Sequence, residues 1–435
     1  MKLNDKLKKL DSYPFHMPGH KRNMDFDILG AEIDITEIDG FDNLHCPTGA
    51  IADMQDDIAE IYGYGKSILS VNGSTGCILA AISAVSRKGD KIIIARNCHK
   101  SVYNACYING LNIIYIEPEF DSKFGMYTYV TQDAVDKAIE DNPDACAVVM
   151  TSPTYEGFIS NVKCDVPLII DSAHGAHFGM SGYLPNRQEG DIIIQSLHKT
   201  LPALTQTAVI HINNPSLEDK VKMYMDIYVS SSPSYILLAS IDRCIDFLKN
   251  RDNSFAKYKI LLDEFYEKVC CFKNIEVLKN DDVTRIVLMS KNISGTQFAR
   301  ELREYGIEVE GATINYVILI STVCDTKEGF DLLLSAIEKI NGIFGEFTPY
   351  ISKCSIPQKA KTSDTLSRKK VTLNESVGMI SAEHIYAYPP AVPIIAPNEI
   401  ISQDIVEAIS RLLSNGVTVI SDSGLLPNEI LTKGT

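Results

Sequence analysis

The chain has 435 residues, 45% hydrophobic and 22% charged, which is an ordinary globular balance for two or three domains. A formal net charge of −15 argues against nucleic acid and against an anionic membrane as partners, and no stretch approaches the ~20 apolar residues of a membrane span. Eleven irregularly spaced cysteines without a CxxC, two of them adjacent (Cys270 and Cys271), read as reduced thiols of a cytoplasmic protein. In chain order, the basic start "MKLNDKLKKLDSYPF" has no apolar run after it and is not expected to act as a signal peptide. From 67 to 212 the pattern alternates strand, loop and helix. The strands are "SILSV" (67–71), "KIIIA" (91–95), "NIIYI" (112–116), "ACAVVM" (145–150), "PLIID" (167–171), "DIIIQ" (191–195) and "TAVIHI" (207–212). Their short, continuous apolar runs fit strands covered on both faces, so the expected class is α/β with a mostly parallel seven-stranded sheet. "YILLASIDRCIDFLKN" (235–250) reads as an amphipathic helix bridging into a second part. "IEVLK", "TRIVLM" and "NYVILIST" among helical stretches suggest a small α+β domain over 251–350. The polar, basic "PQKAKTSDTLSRKK" (357–370) reads as an exposed loop, and the proline-rich "AYPPAVPIIAPNE" (387–399) as an extended path rather than a regular strand. The expected division is an arm (1–30), a large domain (31–250), the small domain (251–350) and a C-terminal domain (351–435).

Reactive residues fall just after the strands, where ligands bind in open α/β sheets. "NGSTGC" (72–77) lies between a strand and a helix; its glycines, the Ser74 and Thr75 hydroxyls and the helix N-terminus suit a phosphate, although an N-capped helix uses the same residue types. Asp171 ends an apolar strand and needs a cation. A protonated pyridine nitrogen is one partner, and a metal or a loop cap are the others; for a metal, His174 and His177 lack a third adjacent ligand. His99 follows the second strand, where an imidazole can stack on a flat cofactor. Lys199, in "SLHKTLPALTQTA" (196–208), can point into solvent or form a Schiff base with an aldehyde cofactor. Phosphate at Ser74 and Thr75, pyridinium at Asp171 and aldehyde at Lys199 together describe pyridoxal phosphate on the aspartate-aminotransferase-like fold.

At these residues the chain resembles the Orn/Lys/Arg decarboxylases. "FHMPGHKRN" (15–23), "DITEIDGFDNLHCPTGAI" (34–51), "VNGSTGC", "ARNCHKSVYNA" (95–105), "TSPTYEG" (151–157), "IIDSAHGAHFG" (169–179), "SLHKTLPALTQTA" and "AYPPAVPIIAPNE" match in order, nearly end to end. The resemblance implies Lys199 as the Schiff-base lysine. It implies His198 and Ser196, with Ser74, Thr75 and Gly76, around the phosphate of pyridoxal 5'-phosphate, and Asp171 on the pyridine nitrogen. His99 would stack on the ring and His174 would line the same site, with His99 and His198 beside Lys199 as catalytic candidates. It implies no metal. Ser231, in "SSSPSY" (230–235), would reach a partner subunit's phosphate, and His20 would lie near the substrate mouth of a homodimer or tetramer. With "MPGHKR" starting at Met17, the wing domain of the long family members is expected to be missing. Glu156 stands where relatives commonly carry Asp. The implied activity is decarboxylation of arginine, lysine or ornithine to the amine, as in polyamine biosynthesis. An aminotransferase, aldolase or lyase would keep the same Lys199 and Asp171, and a non-catalytic paralogue is the remaining alternative.

Overall fold

The computed structural model describes residues 2–351, 353, 355–360, 367–388 and 391–434. The expected loop at 357–370 falls partly outside these residues (361–366), as does the tip of the proline-rich segment (389–390). Nine short strands come first: β1 (Lys66–Ser70), β2 (Lys91–Ala95), β3 (Asn112–Ile116), β4 (Phe120–Asp121), β5 (Met126–Tyr127), β6 (Ala145–Thr151), β7 (Leu168–Asp171), β8 (Ile192–Ser196) and β9 (Ala208–Ile212). Seven of them make one sheet in the order β1-β9-β8-β7-β6-β2-β3, with β4 and β5 a separate hairpin. Every residue of β7, β8 and β9 is buried, as the unbroken apolar runs predict for strands covered on both faces.

Six of the seven strands run parallel, and β9 alone runs against both neighbours, with Ser196 opposite Ala208 and Ser70 opposite Ala208 on its other side. Parallel pairing needs a crossover of a dozen or more residues. The link from Ser196 to Ala208 holds only the single turn Leu197–Thr200, so the chain must reverse. The six parallel strands therefore end on one edge, and that edge carries the loops singled out above.

The helix Tyr235–Lys249 does not bridge. Its buried stripe, with Leu238, Ile241, Ile245 and Leu248, stays on the large part, against Ala50–Tyr62 and the first helix Leu3–Lys8. Asn4 also donates to Ala239 O (2.7 Å) and Asp242 Oδ2 (2.8 Å) there. The link to the next part is Asp252–Val269, which packs on Lys327–Asn341. Strands β10 (Ile275–Val277), β11 (Arg285–Ser290), β12 (Gly311–Ala312) and β13 (Tyr316–Ile320) form an antiparallel sheet in the order β10-β11-β13-β12.

Beyond it lie β14 (Arg368–Val371), β15 (Ile380–Ser381), β16 (Ile385–Ala387), β17 (Val392–Ile395), β18 (Val419–Ser421) and β19 (Ile430–Lys433), in two three-stranded sheets around a separate core that includes Ile385, Ile395, Ile405 and Ile409. The proline-rich segment is thus partly regular strand. Pro393 is tolerated because β17 is an edge strand of the order β17-β16-β18, so its missing N–H interrupts no central ladder. No helix among the described residues is long and apolar enough to cross a membrane.

His211, on β9, is fully buried between Ser67 Oγ (2.7 Å) and Gln195 Oε1 (3.0 Å), and burial pushes its pKa down to about 3. An unfolded histidine titrates near ~6.5, so between these values the unfolded chain binds the extra proton. The neutral His211 therefore contributes its full stability above about pH 6.5 and loses it as pH falls toward 3. The denaturant midpoint is expected to drop between pH 7 and pH 4, and to drop less steeply in His211→Gln; an equal slope in both proteins would remove His211 from the account.

Candidate active site

The parallel strand ends open on a cavity of about 480 Å³. The large sheet supplies Ser74, Asn97, His99, Thr151, Asp171, His174 and Lys199 to its wall. Asp171 is the last residue of β7, so the strand direction places its carboxylate at the floor, where it is 3% exposed and accepts from Ala173 N (3.2 Å). Lys199 sits in the one-turn helix after β8, and its Nζ lies 3.0 Å from His174 Nε2. His99 is the N-cap of Lys100–Ile108; its Nδ1 accepts from Ser101 N (3.2 Å), which leaves the ring hydrogen on Nε2.

The electrostatics follow from burial. Desolvation pushes the Asp171 carboxyl up, opposed by the charge of Lys199. It pulls Lys199 below the ordinary lysine range, with Asp171 pulling back up and Arg285 adding to the fall. His174 is driven well below the imidazole range by burial and then by Lys199 and Arg285, and His99 falls to about 4 through burial, Lys199 and Lys100. Both rings are therefore neutral near pH 7. His198 is also lowered by burial; its Nδ1–H donates to Thr207 O (2.9 Å) and the ring does not line the cavity.

The rest of the wall comes from distant segments. Tyr155, after β6, packs edge-on to His174 (5.1 Å between ring centres) and donates to Glu310 Oε1 (2.6 Å) beside β12. Tyr316, on β13, donates to Glu156 Oε1 (3.0 Å), and burial pushes the Glu156 carboxyl up. The C-terminal sheets close the cavity with Ala387, Val392 and Ile394, joined by Leu412 of the helix Gln403–Ser414 and by Val417 after it. They are tied down by Arg96, which donates to the carbonyls of Pro393 and Ile394 (2.9 Å each). Glu310, Tyr316 and Arg285 were not among the sequence-derived candidates. Only Arg285 carries a sequence signal, in "DDVTR" (281–285), charged residues at the start of an apolar strand.

The structure does not bring every candidate together. Thr75 is exposed and Gly76 buried, where an added methyl would meet Asn72 Cβ at 3.3 Å; neither residue lines the cavity. Ser231 is exposed on a loop outside the chain's own cavity, although the adjacent Ser230 N reaches Asn72 Oδ1 (3.4 Å) beside "NGSTGC". His20 pairs with Asp34 (3.2 Å) in the arm. His177 diverges from His174 and meets Asp282 Oδ1 (3.0 Å) and Thr284 Oγ1 (3.1 Å).

The unpaired polar groups of the site fit pyridoxal phosphate. Asn97 Oδ1 and Thr151 Oγ1, on the cavity wall, and Ser196 Oγ and Thr200 Oγ1, next to Lys199 in the chain but not on the wall, are buried without a hydrogen-bond partner among the described residues. Such orphaned groups cost free energy unless a polar ligand meets them.

The family model for the Orn/Lys/Arg decarboxylase major domain matches residues 5–262. An arginine decarboxylase of Halalkalibacterium halodurans is 32% identical over 434 residues, covering 89% of this chain and 88% of its own. The Francisella novicida lysine decarboxylase LdcF superposes with a TM-score of 0.83 at 19% identity, over 99% of this chain and 81% of that one. A structure of SPT with PLP shares the fold more distantly, with a TM-score of 0.54 at 13% identity over 67% of this chain and 76% of that one. With more than half its length matched by that family model, and its strand-end site furnished for pyridoxal phosphate, the chain belongs to the Orn/Lys/Arg decarboxylase family and is a pyridoxal-phosphate-dependent decarboxylase of amino acids, basic ones at the level of the family.

Proposed function

We propose that the protein decarboxylates arginine to its amine, with Lys199 as the residue that holds the cofactor aldehyde. The observation that carries the site assignment is the desolvated amine of Lys199 above the buried Asp171 carboxylate in one cavity. When bound, pyridoxal phosphate supplies an aldehyde for amine capture and a ring that accepts the electrons of the breaking bond. Ser74 would hold its phosphate with the free N–H groups of the helix Gly73–Val85. Asp171 would hold a proton on the ring nitrogen, and His99 would cover one ring face. Lys199, rather than His198, would return the proton to the α-carbon, because Lys199 lines the cavity and the His198 ring does not.

The distal cation of the substrate would meet Glu310. Of the two glutamates on the wall, Glu156 is pushed toward its neutral form by burial, whereas Glu310 is exposed and offers one oxygen already oriented by Tyr155. Relatives named arginine decarboxylase at 30–32% identity, against 21–24% for those named lysine decarboxylase, support arginine over lysine. A screen of arginine, lysine and ornithine for carbon dioxide and amine product tests this. Arginine is expected to lead, and Glu310→Gln to raise its KM roughly ten- to a hundredfold with a smaller change in kcat. Keto acid in place of carbon dioxide, or an unchanged KM in Glu310→Gln, would defeat the corresponding part.

The same reading includes the four-part division given above, a cytoplasmic setting, supported by ten unpaired cysteines among the described residues, and a homodimer with a shared site. The arm exposes Phe15 (92%) and Leu29 (99%), and the helix Glu218–Tyr228 exposes Met223 and Ile227 beside the Ser230–Ser232 loop. That apolar surface suits burial against a second copy, which would bring Ser231 to the partner's phosphate. A fully active monomer by sedimentation would sink the shared site.

A further inference from the structure

A guanidinium stands behind the histidine that touches Lys199. Arg285, the first residue of β11, is 0% exposed. Its Nη2 donates to His174 Nδ1 (3.0 Å) and to the His174 carbonyl (3.0 Å), while Nε and Nη1 are buried without a partner among the described residues. Two orphaned donor nitrogens make a guanidinium a costly filler, since an apolar side chain of similar length would carry no such penalty.

The polarity of this chain of contacts has only one consistent solution. A guanidinium offers donors only and keeps its charge, so His174 Nδ1 must present its lone pair. The neutral ring then carries its hydrogen on Nε2. Nε2 lies 3.0 Å from Lys199 Nζ, so the hydrogen on that line belongs to the histidine and the lysine must accept it. An ammonium can only donate, and would set two donors head to head; an uncharged amine accepts through its lone pair.

We propose that Arg285 is a positioning residue, which locks His174 in the Nε2–H tautomer and through it holds Lys199 as an uncharged amine poised to capture a carbonyl. This rests on the reading of Lys199 given under Proposed function. The charged and titratable groups around the pair are few. His174 is faced by Lys199 and His198 from the turn after β8, by His99 from the helix Lys100–Ile108, by Arg285 from β11 and by the ring of Tyr155; Lys199 is faced in addition by Asp171 and Glu310. Burial pulls both Lys199 and His174 down, in the direction the hydrogen-bond polarity requires.

The test is the pH dependence of Lys199 labelling in the full-length chain stripped of cofactor. Isotopically labelled formaldehyde and cyanoborohydride serve as the probe, with peptide mapping as the readout. The amine nitrogen adds to the aldehyde carbon, water leaves, and the cyanoborohydride hydride completes the label. Wild-type Lys199 is expected to reach half-maximal labelling at least about one pH unit below exposed lysines such as Lys163. Arg285→Met should move that midpoint up by about one unit, and Arg285→Lys, which keeps a cation that only donates, should move it less. In a His174→Phe background, Arg285→Met should add no further shift, because the effect runs through the histidine. An unmoved midpoint in Arg285→Met, or an equal shift in the His174→Phe background, overturns the proposal. Nitrogen NMR of histidine-labelled wild-type protein decides it independently of any variant's folding: His174 with its hydrogen on Nε2 supports the lock, and a hydrogen on Nδ1 refutes it. Borohydride trapping of the cofactor on another lysine would remove the reading of Lys199 itself, whereas trapping on Lys199 with an unmoved midpoint would remove only the role of Arg285.

Discussion

Lys199→Ala is expected to lower kcat by roughly three orders of magnitude or more, because on the proposed reading it removes both the amine that would hold the cofactor and the group that would return a proton to the α-carbon. The fold should survive. The one-turn helix of Lys199 is held by the hydrogen bond from Leu201 N to Leu197 O (3.0 Å) and by Leu197 N on Thr207 O (3.1 Å), neither of which uses the side chain. The check is twofold. Turnover with arginine is measured in the variant, and borohydride-treated wild-type holoenzyme is digested to find the residue that carries the cofactor. A cofactor label on any lysine other than Lys199, or a variant retaining a tenth of the activity, would overturn the assignment.

Asp171→Asn is expected to cost roughly two to three orders of magnitude in kcat with little change in shape. Among the described residues the carboxylate has one donor, Ala173 N, so most of its hydrogen-bonding capacity is directed elsewhere, into the cavity it floors. Burial works against its ionisation, and a cation in the cavity, such as a protonated ring nitrogen, would restore it. Replacement by asparagine keeps the volume and the bond to Ala173 while removing the charge that would hold a proton on the ring nitrogen. The readouts are kcat and the visible absorption of the holoenzyme, both of which should change. Near wild-type turnover would make Asp171 a cap for the Ser172–Gly175 turn and nothing more.

Much of this site is local in the chain, and that part is legible in the sequence. Asp171 and Ser196 end strands whose apolar runs declare themselves, His99 and Ser74 lie in the loops that follow two others, and Lys199 comes three residues after Ser196. Once six strands are parallel, their ends must share an edge, so alternation alone places these residues together. The seven strands agree with their expected bounds to within about a residue at each end, because each is a short apolar run ended by polar or turn residues.

What the sequence by itself determined, then, is the sheet, its active edge and the residues that the edge carries. The tertiary structure decided everything that depends on how separate segments dock. It turned β9 antiparallel because the link before it is too short for a crossover. It kept Tyr235–Lys249 on the large part because that helix's apolar stripe packs against Ala50–Tyr62. It set Glu310 against Tyr155 across 155 residues of chain and Arg285 against His174 across 111. No periodicity encodes such pairs: an apolar pattern specifies which face of an element is buried, but not which distant element will cover it. The hydrogen-bond polarity that leaves Lys199 uncharged exists only once that docking has occurred.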